Sequence, residues 1–139
     1  MMENHVIGSV TVCSSSKFYG VARQAADSLR AAGLTVYTPR FDYNEEQVVV
    51  GELDKIRLTR EFLGKVARSD AVYVIARNGY AGVSVCIEVG YAFGRGKVVL
   101  FSEEPTEFAL RALVDAVVPV AEISEKVQLV RPVDRTAEW

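Results

Sequence analysis

The chain has 139 residues, half of them apolar and 24% charged, with 16 Lys and Arg against 18 Asp and Glu for a net charge of −2. That length predicts one domain with a core of its own, the balance excludes a disordered chain, and the small charge gives no general attraction to nucleic acid or anionic lipid. One His (His5) and two Cys (Cys13 and Cys86), with no CxxC, exclude a Cys/His zinc site and a conventional Ser-His-Asp triad, so neither a metal nor a cofactor is expected.

Residues Ile7–Cys13 are rich in β-branched side chains and run into the polar cluster Ser14-Ser15-Ser16, which predicts a buried strand and a turn. From Lys17 to Ala32 the residues Phe18, Val21, Ala22, Ala25, Leu29 and Ala32 recur at helical spacing, and Gly33 ends the helix. Thr35–Thr38 is a second short strand, closed by Pro39; Arg40–Gly51 has little periodicity. Glu52–Arg68 reads as a helix with an apolar stripe of Leu53, Ile56, Phe62, Leu63, Val66 and Ala67. Asp70–Ala76 is nearly continuous apolar sequence, as in a central parallel strand. A helix over Ala81–Arg95 ends at Gly96, and Lys97–Phe101 forms a fourth strand. Thr106 caps a short helix through Val114, Ala116–Val118 is a fifth strand, and the last twenty residues hold one short helix and a tail.

Repeated alternation of strand and helix predicts an α/β sandwich: a flavodoxin-like, five-stranded parallel sheet in the order 2-1-3-4-5, with its core over about residues 7–119. The longest apolar runs fall short of the roughly 18 residues of a membrane span. Met1–Val10 lacks the basic-then-apolar order of a signal peptide, so a cytoplasmic protein without membrane or nucleic-acid partners is expected.

In such a sheet ligands bind beyond the carboxyl ends of the strands, beside the first one. Two segments fall there: Ser14–Lys17 and Arg77–Glu88. The second holds glycines (Gly79, Gly82) that let backbone approach a ligand, Tyr80 for stacking, and Ser84 as a helix N-cap. Glu88 follows Ser84 by four residues, near a helix N-terminus whose dipole favours the ionised form, and an ionised carboxylate beside a cleft suits a nucleophile or general base. The same spacing also fits a Glu that only complements the dipole. Ser14, Ser15 and Ser16 at a helix start make a natural anion site, to which Lys17 adds charge or, alternatively, only solvates a first turn. Asp42 and Tyr43, after the second strand, lie at the correct end to reach a sugar or a leaving base. Phe18 stacks on a base or belongs to the core. Asp70 lies at the opposite end of its strand, where it caps or pairs with the preceding helix. Both cysteines read as packing residues.

The run Gly82-Val83-Ser84-Val85-Cys86-Ile87-Glu88-Val89-Gly90-Tyr91-Ala92, followed by Gly96-Lys97-Val98-Val99, resembles the nucleoside 2-deoxyribosyltransferase family. The Ser-Asp-Ala-Val at Ser69–Val72 and the serine turn fit as well, so the resemblance spans roughly Val10 to Pro119. It implies that the carboxylate of Glu88 attacks the anomeric carbon of a nucleoside or nucleotide, displaces the base, and forms a glycosyl-enzyme ester that water or a second base resolves. It further implies that hydroxyls of the first loop hold a phosphate in those relatives that hydrolyse deoxynucleoside monophosphates, and that a neighbouring subunit of a homo-oligomer completes the cleft. Two positions depart from the transferase pattern. Gly82 stands where the transferases carry a sugar-binding Asp, and Thr11 is nearest to the Tyr that contacts their nucleophile. A subgroup with Gly-Tyr-x-Gly before the Ser/Thr and Glu is closer to this chain. Two readings follow: an N-glycosidase, hydrolytic rather than transferring, or a non-catalytic nucleotide-binding module on the same fold.

Overall fold

A computed structural model describes residues 6–135; His5 lies outside the described residues. Five parallel strands form one sheet in the order β2-β1-β3-β4-β5, with β1 Ser9–Ser14, β2 Thr35–Tyr37, β3 Ala71–Ile75, β4 Val98–Phe101 and β5 Ala116–Val117. The helices are α1 Tyr19–Ala31, α2 Glu52–Arg68, α3 Val83–Gly94 and the short α4 Phe108–Arg111 and α5 Ile123–Lys126. The strand order is the expected one.

Successive strand residues feed opposite layers. Val10 and Val12, Ala71, Tyr73 and Ile75, and Val98 and Leu100 pack with Ala22, Ala25, Leu29 of α1 and Ile123 of α5. Their neighbours Cys13, Val72, Val74, Val99 and Phe101 pack with Phe62 and Val66 of α2 and Val85, Val89 and Ala92 of α3. Both faces of the sheet are therefore covered, and this is why the strands read as unbroken apolar runs. Each fully buried Val or Leu contributes about 1.5–3 kcal/mol, so this two-sided core sets the frame on which the loops sit.

Helix α1 closes on a Schellman motif at Gly33 (φ +91°): the N–H of Leu34 donates to the carbonyl of Leu29 at 3.2 Å and that of Gly33 to Arg30 at 2.9 Å. The same pattern recurs at Gly96 (φ +73°), where Lys97 donates to Ala92 at 3.0 Å.

Four local expectations change. Leu53 and Ile56 are exposed (83% and 50%), because only the second half of α2 packs into the core, through Phe62 and Val66. The N-cap of α3 is Gly82 rather than Ser84, which sits in the first turn, and no side chain caps this helix. Thr106 caps nothing: Glu107 is the N-cap of α4, accepting from the N–H of Ala109 at 3.1 Å, and Thr106 packs over Gly79 instead. Asp70 lies at the far end from the strands' carboxyl termini, as expected, but ties β1 and not a helix. Its Oδ2 accepts from the N–H groups of Gly8 at 2.8 Å and Ser9 at 3.1 Å. Among the described residues no helix is long and apolar enough to cross a membrane.

Candidate functional site

The carboxyl ends of β1, β2 and β3 open into a cavity of about 290 Å³, just below the roughly 300–1,000 Å³ common for ligand pockets. Its lining draws on four segments. Ser14–Lys17 and Tyr19 come from the β1 exit, Pro39, Arg40, Tyr43, Glu45 and Glu46 from the β2 exit, Lys55–Lys65 from one face of α2, and Tyr80–Glu88 from the β3 exit and α3. The structure thus brings together Ser14, Ser15, Ser16, Lys17, Tyr80, Gly82, Ser84 and Glu88. Asp42 does not line the cavity. It turns outward and grips Arg40 with both oxygens, at 3.0 Å to Nε and 2.7 Å to Nη2, and it is Arg40 that faces inward.

The serine turn is shaped by its own hydroxyls. Ser14 Oγ donates to the carbonyl of Ser15 at 2.8 Å, and Ser15 Oγ accepts from the N–H of Lys17 at 3.3 Å, capping a 3₁₀ turn over Ser16–Phe18. Helix α1 starts only at Tyr19, so the serines precede its N-terminus by that turn and do not sit on it. Lys17 Nζ lies 4.8 Å from the centre of the Tyr80 ring, which meets Phe18 edge-on at 6.0 Å. Phe18 itself packs against the core.

The segment Arg77–Tyr80 is a tight two-residue turn closed by the N–H of Tyr80 donating to Arg77 at 2.9 Å, with Asn78 at φ +54° and Gly79 at φ +79°. That sign at both positions defines the hairpin turn for which Asn-Gly is the preferred pair. Gly79 is needed there for packing rather than for a ligand: a Cβ would stand 2.2 Å from Cγ2 of Thr106. Gly79→Ala adds that overlap to a left-handed backbone, and we expect it to lower stability by about 2 kcal/mol or more in chemical denaturation. Unchanged stability would mean the turn yields freely and does not fix Tyr80. Gly82 is different. Its φ of −70° suits any residue, and a Cβ would meet Tyr80 Oη at 3.6 Å and Ser15 Cβ at 3.8 Å, which are ordinary contacts.

Glu88 projects from the second turn of α3 toward β1. Burial first pushes its carboxyl up to about 8, against a smaller downward pull from a hydrogen bond with the Cys13 thiol and from the charge of Lys55. Burial thus works against the ionised form that the helix dipole was expected to favour. Glu88 is the sixth residue of α3, beyond the one turn over which the dipole acts, and desolvation wins. Beneath it Cys13 is fully buried on β1, its thiol raised by burial and then by Glu88. Thr11, two residues earlier on the same face, does not reach Glu88: its hydroxyl bonds Ser69 Oγ at 3.0 Å and the Lys65 carbonyl at 3.2 Å. Tyr19 occupies the space between two acids, and burial, then Glu88, then Glu45 push its phenol to about 12, so it remains a donor.

Compared with solved structures, the chain superposes on a 2-deoxyribosyltransferase of Bacillus psychrosaccharolyticus with a TM-score of 0.68 at 16% identity, over 91% of this chain and 99% of that one. The chain has the nucleoside 2-deoxyribosyltransferase-like fold. A CMP N-glycosidase of Clostridium botulinum shares it with a TM-score of 0.58 at 14% identity, over 87% and 98% of the two chains. A conserved protein of Enterococcus faecalis V583 does so at 0.60 and 10%, over 89% and 99%. No protein-family model matches the sequence, and no curated protein matches it.

Beside that fold, the residues missed from sequence are Tyr19 and the inner face of α2 with the loop before it: Arg40, Glu45, Lys55, Glu61, Phe62 and Lys65. Charges on a surface helix look like a solvated face, whereas here one side of α2 lines the cavity. Asp42 and Tyr43 point to this loop by their place after β2, but no pattern in the sequence singles out Arg40 or the charges of α2. Among the described residues no three His, Cys, Asp or Glu side chains are grouped to hold a metal ion.

Proposed function

We propose that the protein cleaves the N-glycosidic bond of a nucleoside or nucleoside monophosphate, by hydrolysis rather than transfer, with Glu88 as nucleophile. The observation that carries this reading is the placement of Glu88 in the cavity lining, together with the serine turn and Tyr80. Two proteins of the same fold, a 2-deoxyribosyltransferase and a CMP N-glycosidase, support it. In the proposed step the ionised carboxylate of Glu88 bonds to the anomeric carbon while the bond to the base breaks, the base leaving with the electron pair and taking a proton from solvent. Water then cleaves the resulting ester, releasing the sugar and a proton and restoring the carboxylate. Tyr80 supplies a stacking face, and Lys17 with the serine turn a place for phosphate. Hydrolysis is preferred because Gly82 has no side chain to hold a sugar for a second base.

The test is a panel of nucleosides and their 5′-monophosphates, assayed for free base and titrated by calorimetry. Free base from at least one member is expected. The monophosphate should bind about tenfold tighter than its parent, since a charge-assisted hydrogen bond of about 1.5–3 kcal/mol exceeds the roughly 1.4 kcal/mol of a decade. Equal affinities would assign the serine turn to capping alone. Binding with no base released would favour the second reading, a nucleotide-binding module.

The same reading includes a homo-oligomer. Val48 and Val49 of the loop before α2, Leu53 and Ile56 of α2, and Val83 and Ile87 of α3 are all exposed, Val49 by 99%. Large exposed apolar residues grouped near a site mark interfaces. Sedimentation should show a dimer or larger species that Val49→Asp weakens; a monomer at high concentration would remove this part.

A further inference from the structure

The cavity contains a second cationic position that the proposed chemistry leaves unused. Lys65 on α2 and Arg40 after β2 both line it, from segments other than the serine turn and the β3 exit. Lys65 is half-buried and spends one of its three N–H bonds on the carbonyl of Thr38, at 2.8 Å. No carboxylate lies within ion-pair distance of it among the described residues, Glu61 and Asp42 acting on it only from farther off. Arg40 uses two of its five donors on Asp42 and keeps three. Burial first, and then the charge of Arg40, hold the Lys65 ammonium below its usual range, with Arg68 adding to the repulsion. Two like charges line one cavity, Lys65 half-buried and Arg40 exposed, each with donors to spare, and an anion relieves their repulsion.

We propose that Lys65 and Arg40 form a second anion position, separate from the serine turn, and that the preferred ligand is a nucleotide bearing two phosphoryl groups. This rests on reading the cavity as a nucleotide site. Asp42 then acts as a positioning residue. It holds the guanidinium of Arg40 by its Nε and Nη2 edge, leaving the Nη1 donors uncommitted. A second phosphoryl could be joined to the first or carried elsewhere on the sugar, and both forms belong in the test.

Deoxycytidine 5′-monophosphate, its 5′-diphosphate and its 3′,5′-bisphosphate are titrated by calorimetry into the intact protein and into Lys65→Met and Arg40→Gln variants. At least one of the two doubly phosphorylated ligands should bind about tenfold tighter than the monophosphate. In both variants the ratio should fall toward one, and Lys65→Arg should restore it. Which ligand shows the margin tells whether the phosphoryl groups are contiguous. If Lys65→Met melts early, showing that its bond to Thr38 is mainly structural, the ratio in Arg40→Gln decides. A wild-type ratio of one, or a ratio that survives both variants, overturns the proposal. Base release with equal affinities would keep the glycosidase reading and remove the second anion position; a clear margin with no base released from any nucleotide would do the reverse.

Discussion

Glu88→Gln should abolish base release, lowering the rate by about three orders of magnitude or more, while the protein stays folded. The amide keeps the size of the side chain but lacks the negative charge of the carboxylate, so its oxygen is a poor nucleophile and cannot give a neutral ester, and only interactions made in the transition state lower the barrier. Stability should move in the opposite direction from activity. Burial lifts the folded-state value from 4.5 to about 8, so as pH rises the unfolded chain loses its proton first. Between those values the unfolded state binds one proton fewer, and stability falls by about 1.4 kcal/mol per pH unit before levelling off. Glu88→Gln escapes that penalty. It should match the parent in thermal melts near pH 4 and exceed it near pH 8. A variant that retains full activity would end the covalent proposal, and one destabilised at pH 8 would contradict the burial of the carboxyl.

The second large effect is on pH and rate. With an uncharged nucleoside as substrate, kcat/KM should climb tenfold per unit below about pH 8 and flatten above it, a rise of about fiftyfold from pH 6 to pH 8. The limb reports the free protein's Glu88, which must be ionised to attack. The groups that act on Glu88 electrostatically are Cys13 of β1, Tyr19 of α1, Lys55 of α2 and, on its own helix, Cys86. Of these only Lys55 is positive, and its ion pair with Glu45 at 2.6 Å divides its influence. Lys55→Met should therefore shift the limb upward. A profile flat from pH 6 to pH 9 would show that Glu88 does not titrate in the reacting protein.

Much of the frame was legible in the sequence because both faces of the sheet are covered. Val72, Val74 and their neighbours on β3 leave no polar residue to break the strand signal, and the glycines at 33 and 96 mark helix ends by a conformation that side chains resist. The site was legible where geometry follows from topology: a residue one or two turns into the helix after β3 must lie near the turn after β1, and Glu88 does. What sequence did not show depends on tilt and depth. Leu53 and Ile56 read as part of a buried stripe and are exposed, because only the second half of α2, at Phe62 and Val66, packs into the core. Lys65 and Arg40 carry no sign in the sequence that they line the cavity. The protonation of Glu88 escapes the sequence for a related reason. Distance from the helix start is countable along the chain, whereas desolvation depends on what covers the side chain.

The uncapped start of α3 leaves an unused reserve of stability at the mouth of the cavity. Nothing in the backbone at Gly82 requires glycine, and Asp, Asn or Ser would gain a few tenths of a kcal/mol as a cap. Yet the side chain of any of them would enter the space between Tyr80 and Ser15, two residues of the cavity lining. Room in the cavity and stability thus trade against each other at a single residue: the space comes from the same missing atoms that leave the helix less firmly begun.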